Sequence, residues 1–510
     1  MLLKFTLKFI LLLLFREHHS THQSPLGHAM IRVILASFLL AGVARCYNYD
    51  EVLRLSLMFY EAQRSGHLPA NNRIPWRADS ATTDKGQNGE DLSGGYYDAG
   101  DFVKFGFTMA STTTILAWGY LSYKEAYEEV NEWENALGSI RWAAEYFIKC
   151  HVSDYEFYGQ VGDFSLDQGF WGRPEDMNMS RPSYKIDKNR PGSDLAGETS
   201  AALSAVSIIF TKIDSNFSAS CLSHAKQLYL FATQYRGLYH DAIKGAAQYY
   251  ESTDYGDELT WAAAWLYKAT KESQYLDDAE YMYMKYRLKE RPNEFYYNKK
   301  VAGVQALLAE LTNQSEYTEA IQNFCDYNLY VQKKTPKGLL YIEKSGTLCH
   351  AANIVFLCLQ AADIGIKSMQ YREFAKQQIH YILGDGGQSF VVGFGKNYPL
   401  QPHHAASSCM DRPAPCDWEA YRSTKPNPQV LYGALVSGPD ENDNYKDLRE
   451  EYIYNEVTLD YNAGFQSAVA GLKQLELQAN RNKALLNINN ETPIGNWTDV
   501  LSTASNVTDV

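Results

Sequence analysis

Between residues 50 and 477 the apolar and polar positions follow a helical rather than an alternating pattern. Helices are predicted over 50–65, 112–130, 132–150, 194–210, 219–235, 259–270, 273–286, 301–311, 317–330, 351–364, 370–383 and 461–477. These segments are rich in the good helix formers Ala, Leu, Glu and Lys, and Gly66 stops the first. Small residues such as Ala201-Ala202 and Ala262-Ala263-Ala264 stand where helices would pack closely. Alternating strand patterns are scarce, and the longest candidate is Phe390-Val391-Val392-Gly393-Phe394. No Ser/Pro/Gly linker divides the series. About twelve helices without a break predict an all-α fold of paired helical hairpins closing into a ring.

Long Gly/Pro/Asp-rich loops cover 66–103, 151–193 and 385–450, and loops of that length in a compact domain are usually functional. The N-terminus reads as a targeting segment over 1–46. Residues 31–44 follow Arg32 with an apolar run of signal-peptide length, and Ala44-Arg45-Cys46 allows cleavage before Tyr47. The run is shorter than the roughly 20 residues of a membrane span, although a membrane anchor is the alternative reading. A second apolar patch, Phe9 to Phe15, lies upstream, so Met30 is a candidate start and 1–29 a candidate upstream extension. The mature domain is expected over 47–478, followed by a polar, disordered tail over 479–510. Glycosylation triplets at Asn178, Asn216, Asn313, Asn490, Asn496 and Asn506 agree with export. Of eight cysteines, Cys46 leaves with the signal segment, so at least one of the remaining seven is unpaired in a monomer. Cys409 and Cys416 are close enough in sequence to bridge. With no CxxC pair, a zinc cluster is not expected.

The net charge of −13 argues against a nucleic-acid partner, which needs a basic surface. Aromatic residues make up 14% of the chain, with 38 tyrosines, whose flat faces suit stacking on pyranose rings as well as ordinary packing.

Cleaving a glycosidic bond takes two carboxyl groups, one to protonate the leaving oxygen and one to activate water or attack carbon. Two segments carry acids among small and aromatic residues. In the first, Ser93 to Phe102, glycines surround Asp98 and Asp101; on its own such a pair also serves calcium loops and helix caps. In the second, Glu456 sits among Tyr452, Ile453, Tyr454, Asn455 and Val457, an apolar setting that raises a carboxyl pKa. Alone, Glu456 also reads as a helix-capping acid.

Together these segments resemble glycoside hydrolase family 9, cellulases with an (α/α)6 barrel, from Tyr47 to about Leu477. The resemblance is carried by YYDAGDFVKFGF (96–107), YGQVGD (158–163), WGRPEDM (171–177), PGSDLAGETSAAL (191–203), DELTWAAAWLYKAT (257–270), YPLQPHHAASSC (398–409) and NEVTLDYNAGFQSA (455–468). The wording is closest to the animal members. The resemblance implies an inverting endo-β-1,4-glucanase, with Asp101 as general base, Asp98 helping to hold the water and Glu456 as general acid. It implies that His403 contacts substrate and that Asp447 belongs to the same signature in a structural or electrostatic role. Trp171, Tyr249, His404 and Tyr461 are expected to bind substrate. An adjacent His403-His404 pair could also read as metal ligands, but no third ligand is near in sequence. The resemblance further implies a structural Ca²⁺ site at Thr253, Asp254, Asp257, Glu258 and Asn298; a solvated acidic loop is the other reading of that segment. The expected partner is a β-glucan, with no membrane association of the mature form, and the protein is expected to be a secreted monomer.

Several positions depart from the family pattern. Ala405 and Cys349 stand where arginines are usual, Ser345 and Ser252 where tryptophans are, and Gln168 where a histidine is. Losing stacking faces and guanidinium donors weakens glucan binding. The alternative is therefore a carbohydrate-binding relative of impaired activity, or an enzyme shifted to another β-glycan.

Overall fold

The computed structural model describes residues 47–491, and side chains through 484. The expected signal segment, the end of the expected tail and the triplets at Asn490, Asn496 and Asn506 lie outside the described residues or side chains. Twelve long helices form the body: α1 (Tyr49–Ala62), α2 (Gly106–Ser122), α3 (Trp133–Cys150), α4 (Ser193–Phe210), α5 (Ser215–Gln234), α6 (Gly256–Thr270), α7 (Ser273–Lys285), α8 (Val301–Thr312), α9 (Ser315–Tyr330), α10 (Thr347–Asp363), α11 (Ser368–His380) and α12 (Leu459–Glu491).

Alternate helices make an inner ring. α2 packs on α4, α4 on α6, α6 on α8, α8 on α10, α10 on α12, and α12 returns to α2. The remaining six lie outside this ring, so the fold is the expected (α/α)6 barrel. Burial explains the sorting. Every residue of α4 except Ile208 is buried, which suits Ser193-Asp194-Leu195-Ala196-Gly197, a sequence with no wet face. Outer α3 instead buries Ala136, Ile140, Ala143 and Phe147 along one stripe and exposes the other. Among the described residues no helix is long and apolar enough to cross a membrane.

The structure departs from the pattern in three places. The helix predicted over 112–130 begins at Gly106 and ends at Ser122, and a separate short helix follows over Lys124–Glu129. Phe390–Phe394 forms no strand; it has a single bridge, Val391 to Leu435, flanked by backbone bonds from Val392 N to Ala434 O (2.9 Å) and from Gly433 N to Val392 O (2.8 Å), and the chain turns away at Gly393 and Gly395, both at positive φ. The antiparallel sheet lies elsewhere: β1 (Lys104–Phe105), β2 (His151–Ser153), β3 (Glu156–Val161) and β4 (Ser183–Asp187), with β3 pairing with the other three. Finally, α12 runs to Glu491, correcting the tail expected from 479. Its extension is anchored where Arg481 and Gln474 both donate to Glu125 at 2.8 Å.

Bridges join Cys409 to Cys416 and Cys325 to Cys358, while Cys150, Cys221 and Cys349 are free and buried. Inside the ring, Trp118 of α2 meets Trp261 and Trp265 of α6 and Phe356 of α10 at ring separations of 5.6, 5.8 and 5.4 Å. All four are fully buried. Trp118→Ala is expected to cost about 3–5 kcal/mol, the range for deleting a buried large aromatic, read as a lowered urea midpoint.

Candidate active site

The three acids singled out by the sequence come together. Asp98 lies just before β1 and α2, and Glu456 just before α12, so neighbouring inner helices present the two segments. Backbone bonds join them: Leu459 N donates to Asp98 O (2.9 Å), Ala405 N to Gly100 O (2.8 Å) and His403 N to Asn455 O (2.9 Å). Gly100 is required for this approach, because a Cβ there would lie 2.1 Å from His403 O. The Gly100 N–H donates to the Glu456 carboxylate, placing the acid against the loop that carries Asp101.

Burial and like charge set the protonation of the group. The Glu456 carboxyl is pushed up to about 8 by burial, opposed by the Gly100 N–H and raised further by Asp460. Asp98 is 1% exposed and is raised to about 7, first by burial and then by Asp460. Its two oxygens accept from the Thr108 and Tyr250 hydroxyls. Asp101 is raised well above the usual carboxylate range by burial, and then by the charges of Asp167, Asp98 and Glu456. Its Oδ1 is buried and commits to no protein donor.

Two of these carboxyls are additions to the sequence-derived set. Asp167 is buried, accepts from Phe102 N at 3.2 Å, and is raised to about 6 by burial. Asp460 is buried, accepts from the Thr458 hydroxyl, and is raised by burial. Both stand inside motifs that carry the resemblance or beside them, one residue before Gln168 and Tyr461, but spacing alone does not turn them toward Asp101 or Glu456. Arg181 supports the same loop: it donates to both Asp84 oxygens at 2.7 and 3.1 Å and to Phe102 O at 2.9 Å.

His403 is half-buried beside the acids. Its Nδ1–H donates to Arg449 O (2.7 Å), which leaves Nε2 as the acceptor, and burial lowers its pKa. Arg449 was not anticipated; buried itself, it donates to the carbonyls of Ala420, Tyr421, Ser423 and Lys425 and to Asn427 Oδ1.

His404 holds the loop beneath Asp98. It is buried, and burial lowers its pKa to about 3. Its Nδ1 accepts from Ser407 N (3.0 Å), so its Nε2–H donates to Gln63 Oε1 (2.9 Å). Gln63 Nε2 in turn donates to Tyr97 O and Ala99 O at 3.2 and 2.6 Å, on either side of Asp98. Asp447's oxygens accept from Leu400 N and Gln401 N at 2.8 and 2.9 Å, which holds the segment that leads to His403.

Aromatic rings gather around His403. Trp171 meets it at 5.4 Å, Tyr421 at 6.1 Å and Tyr452 at 6.3 Å, and Trp418 stacks against Trp171 and Tyr421. Trp171 itself is buried, with its indole N–H on Ser408 Oγ (2.8 Å), whereas Tyr452 is exposed. Trp418, Tyr421 and Tyr452 were absent from the sequence-derived set because nothing local marks them as facing the site. Tyr249 is exposed beside Phe164, and Tyr461 is buried with its hydroxyl 3.5 Å from Ser345 Oγ. Among the departures, Ala405 is buried with Tyr97, Phe102, Trp171 and Ala406, and Cys349 and Ser252 are fully buried, while Ser345 and Gln168 are exposed.

The residues expected to hold calcium surround the start of α6. Asp257 and Glu258 are buried; Asp257 Oδ2 accepts from Lys300 N (2.6 Å), and both Glu258 oxygens are buried without a hydrogen-bond partner. Such oxygens suit a hard cation. Asp254 Oδ1 instead accepts from Tyr255 N and Gly256 N. The Thr253 hydroxyl takes Lys299 Nζ (3.2 Å), and Asn298 donates to Glu251 O (2.9 Å).

Residues 49–469 match the profile of Glycosyl hydrolase family 9. The fold is similar to that of an endoglucanase from the termite Nasutitermes takasagoensis, 55% identical, covering 85% of this chain and 100% of that one with a TM-score of 0.84. It is also similar to cellulase Cel9M of C. cellulolyticum, solved in complex with cellobiose: 33% identical, 84% and 99% covered, TM-score 0.79. Endoglucanase A of Bacillus pumilus is 43% identical over 451 residues, which span 84% of this chain and 67% of that protein. With its acids, its barrel and its sequence all in agreement, the chain belongs to glycoside hydrolase family 9.

Proposed function

We propose that the protein is a secreted endo-β-1,4-glucanase that inverts the anomeric centre. The observation that carries this reading is the pairing of Glu456, raised to about 8 and therefore protonated at neutral pH, with Asp101 across the Gly100 backbone. Glu456 donates its proton to the leaving oxygen. Asp101, whose Oδ1 is free of protein donors, takes a proton from the attacking water. Asp98 is fastened by Thr108 and Tyr250 and acts on Asp101 through its charge and on the water's orientation. Trp418, Tyr421, Tyr452 and Tyr249 offer ring faces to a sugar chain, and His403 Nε2 accepts from a sugar hydroxyl. Endoglucanase and cellulase relatives, one with bound cellobiose, support a β-1,4-glucan as substrate. Exposed Asn178, Asn216 and Asn313 and two disulfides support secretion.

Calcium is assigned a structural role. Asp257 and Glu258 would hold it, joining the start of α6 to the residues that precede α8. The cation's charge would neutralise two buried carboxylates there; the reaction itself runs on carboxyl groups and water.

Three outcomes are expected. A panel of soluble β-glucans should be cleaved internally, with the α-anomer appearing first by NMR, and Asp101→Asn or Glu456→Gln should lower kcat by at least about 10²-fold. Release of no reducing ends from any β-1,4-glucan would overturn the assignment. The alkaline limb of kcat/KM should fall near pH 8, where Glu456 ionises. Asp460→Asn removes a charge that opposes this ionisation, so the limb should move to lower pH. The calcium assignment predicts that EGTA lowers the melting temperature and that added Ca²⁺ restores it. Glu258→Gln should abolish that response.

A further inference from the structure

Glu294, Glu343 and His350 form a separate cluster, near enough to Asp460 for His350 to act on its charge. Glu294 sits in the loop before α8, Glu343 in the loop before α10, and His350 in the first turn of α10. One ligand atom from each falls within 4.8 Å of the other two. We propose that these three side chains bind a divalent transition-metal ion, of the Zn²⁺, Co²⁺ or Mn²⁺ class, between the loops that precede α8 and α10.

The histidine carries the argument. It is 1% exposed, and its Nδ1 is buried with no hydrogen-bond partner. Glu294 Oε2 is only 3.2 Å away, yet it lies off the direction a hydrogen bond needs. Two donor atoms side by side at that separation match neighbouring ligands of one ion, because bonds of about 2.0–2.2 Å at tetrahedral or octahedral angles put ligand atoms about 3.0–3.5 Å apart. Glu343 is exposed on a long side chain and closes the remaining gap by rotation. The ring is steadied by Tyr296, 4.5 Å away between centroids.

Charge points the same way. Glu294 Oε2 pairs with His350 Nδ1 at 3.2 Å, and Lys299 is the other cation whose charge reaches it. Lys299 is nonetheless committed to the Thr253 hydroxyl (3.2 Å). Between Glu343 and His350 the one cation in sequence is Lys344, whose charge acts on Asp440, while positions 345 and 349 hold Ser and Cys. Two carboxylates therefore face one imidazole. An imidazole with two carboxylates suits Zn²⁺, Co²⁺ and Mn²⁺, whereas Ca²⁺ and Mg²⁺ select all-oxygen sites. Tyr296 lies close enough to Asp460 and Tyr461 to feel their charge, and the Tyr461 ring lies against Gly346. An ion here would tie the loop before α10 to the loop before α8 beside the catalytic centre.

The test is titration calorimetry of the full protein with ZnCl2 in saturating CaCl2, repeated with Co²⁺ and followed by its visible absorption. One site per chain is expected, with Co²⁺ bands that report nitrogen and oxygen ligation. Glu343→Gln, at an exposed position, and Glu294→Gln should each weaken Zn²⁺ at least fivefold while leaving the melting temperature in Ca²⁺ alone unchanged to within about 2 °C. No Zn²⁺ or Co²⁺ binding by the wild-type protein would overturn the proposal, as would binding that either variant weakens less than fivefold.

Discussion

Five carboxyl groups, those of Asp98, Asp101, Asp167, Glu456 and Asp460, share one largely buried space, and they cannot all be ionised at once. Burial raises every one of them, and neighbouring carboxylates raise Asp98, Asp101 and Glu456 further. The folded protein therefore holds protons that the unfolded chain, with carboxyls near 4, has already lost. By linkage, stability is fullest below about pH 4 as far as these groups are concerned. It declines as pH rises above that, with Glu456 losing its share near pH 8. The same burial, helped by the charge of Asp460, keeps a proton on Glu456 at neutral pH, so the catalytic state and the cost to stability have one origin.

Holding these charges together falls to the barrel. Asp98 precedes α2 and Glu456 precedes α12, and those helices are neighbours only because the inner ring closes. Residues remote in sequence become backbone partners there, with Tyr60 donating to Leu459 O and Leu459 N to Asp98 O. Hydrogen bonds to the acids come from rigid neighbours: Thr108 in α2, Tyr250 before α6 and the Gly100 and Phe102 amides. Beneath them the His404–Gln63 pair grips the carbonyls beside Asp98. A loop carrying four of these contacts does not relax to separate its charges.

All twelve long helices were legible because burial patterns and helix formers are local properties, and the errors sit at their ends. The sheet was not: β1 has two residues, and β3 acquires meaning only from its partners. The same divide runs through the site. Asp98, Asp101 and Glu456 stand in long motifs whose resemblance is readable. Asp167 and Asp460 stand beside readable residues, but their importance comes from which charge they face in space. His403 and His404 are adjacent in sequence but bonded to different parts of the fold, one ring to Arg449 O and the other to Gln63. Nothing in the pair alone decides which.

The departures from the family pattern also separate once their surroundings are known. Ser345 and Gln168 are exposed, so a tryptophan or histidine there would alter the surface without disturbing what lies below. Ala405 and Cys349 are different. Ala405 packs with Tyr97, Phe102 and Trp171, with Trp418 and Tyr421 against the same cluster. Cys349 is fully buried, its thiol on Asp460 O at 3.6 Å. Placing a guanidinium at either site means burying a charge where aromatic rings or a raised carboxyl now sit, which costs several kcal/mol unless it is paired. At both positions the side chains that are present fill the packing around them. Sugar binding must then be judged from the rings that are present, around His403, and not from arginines whose places the core has filled.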